Sequence, residues 1–139
     1  PYRGSWKFKK HFYAQVDDLI EKTSTGTFSE EFNCARLLDM HPKVKYWVRN
    51  IPKQPHSSFW LPTEKDYFYP DFVAELEDGS IFVLEYKGGH LDTADDARIK
   101  NNIGKQWAKD SNGKRKFLMA KKQDEAGRSL EEQINAVIG

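Results

Sequence analysis

Three ionisable side chains interrupt two strand-like words between Tyr69 and Gly89: Asp71, Glu85 and Lys87 in YPDFVAELEDGSIFVLEYKGG. Two carboxylates and an ammonium on one surface would make a hard-oxygen cation site with a positive group beside it. Like charges directly opposite on a sheet are destabilising, so a shared divalent cation is the simplest compensation. Magnesium suits such a pair, because it takes one or two carboxylates and completes its shell with water and phosphate oxygens. A neighbouring lysine would orient a water or stabilise charge developing on a phosphate. An edge hairpin whose charges point into solvent is the competing reading of the same residues.

Register decides whether the three meet. Phe72, Ala74 and Leu76 alternate with Asp71, Val73 and Glu75, and Phe82, Leu84 and Tyr86 alternate with Ile81, Val83, Glu85 and Lys87. This is the period-two pattern of paired strands. A two-residue Asp78-Gly79 loop would set Asp71 opposite Tyr86 and send the carboxylates to opposite faces, since a one-residue slip flips every side chain. A three-residue loop, Glu77-Asp78-Gly79, with the glycine left-handed, sets Asp71 opposite Glu85 with Lys87 on the same face. The three-residue loop is the expectation.

The elements around the hairpin follow from caps and periodicity. Val16, Leu19 and Ile20 are spaced for a short helix. Lys7, Lys9, Lys10 and His11 before them could touch a nucleic-acid backbone, although a packed linker is the plainer expectation. Ser29 caps a helix from about Glu30 to Met40 whose first-turn acids suit the helix dipole. Its periodicity aligns Glu31 with Ala35 and Leu38 toward the sheet, and Cys34 reads as a small core residue. Val44, Tyr46 and Val48 alternate with Lys45 and Trp47 in a strand to about Asn50, and Ser58 to Leu61 is a further strand candidate. Of Trp60, Tyr67 and Phe68, at least two are expected in the core, although rings of this kind also form base-stacking platforms. His90 reads as a loop residue that could approach the carboxylates. Asp92 or Thr93 caps a helix, Ala94 to Asp110, with Ala97, Lys100, Ile103, Gly104 and Trp107 on one side. Lys100 is the lone cation of that stripe and could simply snorkel along the sheet. A strand, Lys116 to Ala120, and a helix, Leu130 to Ile138 capped by Ser129, close the chain. The order predicts an α/β fold: a mixed central sheet flanked by helices on both faces. Residues 1–28 read as an extension packed on a single domain, 29–139.

Composition bounds the function classes. Four Trp, six Tyr and nine Phe in 139 residues are too many for a disordered chain. No apolar run reaches the length of a membrane span, so no membrane role is expected. One cysteine excludes an internal disulfide and fits a reducing, cytoplasmic setting. The net charge of +1 is uninformative, but its distribution is not. Ten acidic residues against two lysines lie between Glu64 and Asp96, and nine basic residues against Asp110 alone between Arg98 and Lys122. An acidic centre beside a basic flank suits a metal site next to a phosphate-binding surface. No phosphate-binding G-x-x-x-x-G-K-[ST] word occurs, and the opening Pro1 suggests a piece of a longer chain.

Pro70-Asp71 followed by Glu85-Tyr86-Lys87 resembles the PD-(D/E)xK nuclease signature. The words SFWLP, YPDFVAELEDGSIFVLEYKG and IGKQWA are similar to the C-terminal nuclease domain of type III restriction enzyme subunits and related helicase-nucleases. The likeness spans roughly His11 to Met119. It implies a restriction-endonuclease-like core that hydrolyses phosphodiester bonds of double-stranded DNA with Mg2+, or Mn2+ in its place. Asp71, Glu85 and the Tyr86 carbonyl would be ligands, and Lys87 would position the attacking water. Glu31, in the E-x-x-C-A-x-x-L-D word, would bind a second metal or hold water, with Glu30 its rival for that place. Where Cys34 stands the family usually carries a bulkier apolar residue. Lys100 would lie near the scissile phosphate. The implied partners are a motor part of the same polypeptide or complex and a methyltransferase subunit. A catalytically silent DNA-binding or docking module of the same fold is the alternative.

Overall fold

The computed structural model describes residues 1–88 and 93–139. His90 and Asp92 lie outside the described residues. Three helices, α1 (Glu30–Met40), α2 (Ala94–Lys109) and α3 (Leu130–Ile138), surround a sheet of four strands. The strands are β1 (Val44–Arg49), β4 (Phe72–Leu76), β5 (Ile81–Tyr86) and β6 (Arg115–Ala120), in the order β1-β4-β5-β6. A separate pair, β2 (Leu61–Pro62) and β3 (Tyr67–Phe68), forms a small hairpin. β1 and β5 each pair antiparallel with β4, whereas β6 lies parallel to β5 and is reached through α2. The architecture is α/β with a mixed sheet, as expected.

Strand alternation sorts the core into two layers. Phe72, Ala74, Leu76, Phe82, Leu84 and Ala120 face α1 and α3, burying Phe32, Ala35, Leu38, Leu130 and Ile134. Val83 and Phe117 face the other way, under α2 and the β2–β3 hairpin, with Ile103, Trp107, Leu61 and Phe68. Gly104 lets α2 approach this closely: a Cβ there would lie 2.4 Å from the Phe117 ring. Cys34 is fully buried, and burial pushes its thiol well up, as befits an inert core residue. Each helix is capped as its sequence asks, by Ser29, Thr93 and Ser129, the last within a capping box with Glu132.

Four expectations need correction. Residues 1–28 form no helix. Val16 and Leu19 are buried but Ile20 is 70% exposed, and the chain is fixed by hydrogen bonds instead of by helical period. The Asp39 carboxylate accepts from the backbone N–H groups of Lys9 and Lys10 and from Trp47 Nε1. Lys10 Nζ donates to the carbonyls of His41 and Val44, and His11 Nε2 accepts from the Arg49 N–H, so these two residues brace β1. Second, β1 does not alternate evenly. A register shift between Val44 and Tyr46 brings Val44, Trp47 and Arg49 into the buried set. Third, strand structure in the 58–68 region is confined to β2 and β3, so the strand expected over Ser58 to Leu61 is present only at Leu61. Fourth, only Phe68 of the three aromatics is buried; Trp60 and Tyr67 are exposed.

Candidate active site

The β4–β5 turn has the three-residue form. Leu76 N–H donates to the Ser80 carbonyl at 2.8 Å, Gly79 N–H to the Leu76 carbonyl at 2.9 Å, and Gly79 has φ +87°. Asp78 secures the loop by accepting from Ser80 N–H at 2.9 Å. Pairs Phe72–Leu84, Val73–Val83 and Ala74–Phe82 carry that register along the hairpin, so Asp71 meets Glu85 one step before β4 begins. The two residues clasp each other. Asp71 N–H donates to Glu85 Oε1 at 3.0 Å, and Tyr86 N–H donates to Asp71 Oδ2 at 2.8 Å. One oxygen of each carboxylate is thereby fixed by the opposite strand's backbone.

The remaining oxygens face cations. Glu85 Oε2 lies 3.8 Å from Lys100 Nζ on α2, and Asp71 Oδ1 lies 3.4 Å from Arg49 on β1. Glu85 is only 6% exposed. Burial and the charge of Asp71 push its carboxyl up to about 9 against the opposing pull of Lys100. Burial thus disfavours charge on Glu85, and a cation at the pair would favour it.

Arg49 is the residue that the sequence does not announce. Its buried guanidinium is 3.0 Å from Glu31 Oε2, donates to the Asp18 carbonyl at 3.1 Å and lies over the Phe72 ring at 5.0 Å. Glu31 thus joins Asp71 through Arg49, while burial raises its carboxyl and Arg49 opposes that. Asn50, also buried, donates to the carbonyls of Phe59 and Pro70 at 2.8 Å and accepts from Phe59 N–H. It holds the segment that delivers Asp71. Both are polar residues at the buried end of a strand, a position detectable only once the bulge in β1 is known.

Lys87 follows β5, and its N–H donates to the Ala120 carbonyl at 2.8 Å, extending the parallel ladder. Its side chain is half-buried, and among the described residues its ammonium makes no ion pair. The lysine on Glu85 is Lys100, which the sequence places on the sheet-facing stripe of α2. Asp71, Glu85, Glu31 and Lys100 therefore come together at one end of the sheet. Tyr86 and Lys87 leave β5 at that same end. Glu30 makes no ion pair among the described residues, whereas Glu31 does. The same residues hold no cluster of three or more His, Cys, Asp or Glu spaced to ligate a metal by themselves. No helix among them is long and apolar enough to cross a membrane.

Comparison with protein-family models, with curated proteins and with solved structures gave no match.

Proposed function

We propose that this domain is a Mg2+-dependent DNA endonuclease of the PD-(D/E)xK type, built on a restriction-endonuclease-like core. In this reading it is the cleavage module of a type III restriction enzyme or a related helicase-nuclease, acting on double-stranded DNA with a motor part alongside. The observation that carries it is the reciprocal clasp of Asp71 and Glu85. A carboxylate pair, Glu85 buried and Asp71 partly so, each with one oxygen pinned by backbone and one facing a cation, is a hard-oxygen donor set. Two carboxylates fit magnesium, which leaves its other positions to water and phosphate, and the Tyr86 carbonyl could add one more oxygen.

Bound there, Mg2+ or Mn2+ would neutralise phosphate charge and lower the pKa of a water. The chain's own groups divide the rest. Asp71 and Glu85 would hold the cation, Lys87 would orient the attacking water, and Lys100, 3.8 Å from Glu85, would balance charge near the scissile phosphate. Glu31 is engaged by Arg49 at 3.0 Å, so its contribution to a second metal would require that contact to loosen. Arg49 and Lys100 already neutralise much of the carboxylate charge, and this favours the second reading, a silent DNA-binding or docking module.

Nicking of supercoiled plasmid in Mg2+ against EDTA, with wild type and Asp71→Ala, separates the two. Cleavage that needs Mg2+ and is lost in Asp71→Ala supports the enzyme. DNA binding without cleavage, in the chain alone and joined to a motor, supports the module.

A further inference from the structure

The β2–β3 hairpin leaves one face uncovered. Leu61 and Phe68 are buried in the layer with Val83 and Phe117, whereas Trp60 and Tyr67 stay 48% and 55% exposed. These two rings meet edge to face at 4.7 Å, and Tyr69 extends the row 6.5 Å beyond Tyr67. Two residues later the chain reaches Asp71. Between the hairpin and α2 lies a cleft of about 570 Å³ whose lining includes Tyr67, Phe68, Lys65, Arg98, Lys100 and Asn102. Lys100 Nζ sits 5.6 Å over the Phe68 ring and 3.8 Å from Glu85 Oε2. The cleft thus runs from Tyr67 of the aromatic row to Lys100, the lysine that faces Glu85.

Charge is arranged to match. The cleft itself is close to neutral, because Glu64, Asp66 and Asp96 line it beside the three cations. Asp66 accepts from Tyr67 N–H at 2.7 Å. A neutral, partly aromatic cleft suits a base better than a phosphate. Phosphate-binding charge lies along α2, where Arg98, Asn102, Lys105 and Lys109 recur at helical spacing, all exposed and none acidic. Arg98 pairs with Asp95 at 3.6 Å on the open surface, a contact worth little in water.

We infer that this face is a platform for an unpaired DNA strand. Its phosphates follow the basic stripe of α2, and a base stacks on Trp60, which Tyr67 braces edge to face. The adjoining phosphate then falls at Asp71 and Glu85. The inference rests on the nuclease reading and narrows its substrate: the strand at the cut is locally single-stranded, as at a flap, a gap or an opened duplex. Bases inside a duplex offer no free ring face, whereas every unpaired base does.

The test is binding in EDTA, so that it does not depend on cleavage. A short oligothymidylate should quench tryptophan fluorescence in wild type. In Trp60→Phe the quenching should shrink while anisotropy still reports binding. Trp60→Ala and Tyr67→Ala should each weaken single-strand binding on the order of tenfold or more, with melting temperature unchanged, because stacking losses are of that size. Duplex of the same sequence should change less than about twofold, having no free base face. Unchanged single-strand affinity in both alanine variants overturns the inference, as does an equal loss for duplex, or no oligothymidylate binding by wild type. Failure of the nuclease reading looks different: wild type stacks in EDTA as described yet cuts nothing in Mg2+.

Discussion

At the scale of single residues, Glu85 is where burial and charge conflict most. Its folded pKa of about 9 lies far above that of an exposed glutamate, so the cation-free fold is favoured while Glu85 is protonated. That contribution is complete below about pH 4.3 and is lost as pH rises toward about 9. Glu85→Gln should therefore melt above wild type at pH 8.5 in EDTA, with the gap closing by pH 4.5. Mg2+ should raise the wild-type melting temperature at high pH and leave Glu85→Gln unmoved. Thermal scans across pH with and without Mg2+ check both. Lys87 poses a different question, because Lys100 occupies the contact with Glu85. If Lys87 orients water, a planar guanidinium cannot replace its compact ammonium. Lys87→Arg should keep fold and DNA binding and lose cleavage by about a hundredfold or more. A wild-type rate in Lys87→Arg, with loss in Lys100→Arg, would move the role to the helix. Asp71 and Glu85 were legible because turn chemistry counts residues: Glu77-Asp78-Gly79 permits only one pairing of the strands. Arg49 was not, since a strand arginine reads as an edge charge until tertiary packing buries it.

The elements position these groups to within a side chain's reach, and α2 is the most exacting of them. Lys100 reaches Glu85 only because Gly104, one turn later, rests against the Phe117 ring. Alanine is the better helix former by nearly 1 kcal/mol, yet its Cβ would overlap that ring, and overpacking costs about 1–3 kcal/mol. Gly104→Ala should thus lower the melting temperature and reduce cleavage together, and Phe117→Leu in the same chain should restore part of both. Helix ends were legible from Ser29, Thr93 and Ser129, whose side chains satisfy open N–H groups locally. Strand faces were less so. One register shift in β1 rephases everything after Val44, and nothing in VKYWVR marks it. The exposure of Tyr67 was equally hidden, because a two-residue strand has too short a period to reveal its faces, and Trp60 precedes its strand altogether.

For the whole molecule, the division at residue 28 describes sequence character better than it describes the core. Val16 and Leu19 belong to the layer between the sheet and α1, and Tyr2, Trp6 and Phe8 pack against it. Each well-buried apolar side chain is worth about 1.5–3 kcal/mol, and a domain has only about 5–15 kcal/mol in total. A chain of residues 29–139 should therefore fail to melt cooperatively, whereas the full 139 residues should show one transition by circular dichroism. Loss of the segment would also remove the His11 acceptor behind Arg49 and the Asp18 carbonyl at its guanidinium. The site and the irregular opening of the chain stand or fall together.

The clasp of Asp71 and Glu85 has a spectroscopic consequence. Two amide protons, those of Asp71 and Tyr86, end on carboxylate oxygens in place of carbonyls. Their chemical shifts and exchange rates accordingly follow the charge on those oxygens, while the amides deeper in the hairpin answer only to carbonyls. In a nitrogen-15 spectrum these two resonances would act as a built-in electrometer. They would move when the carboxyl pair loses its proton and again when a cation arrives.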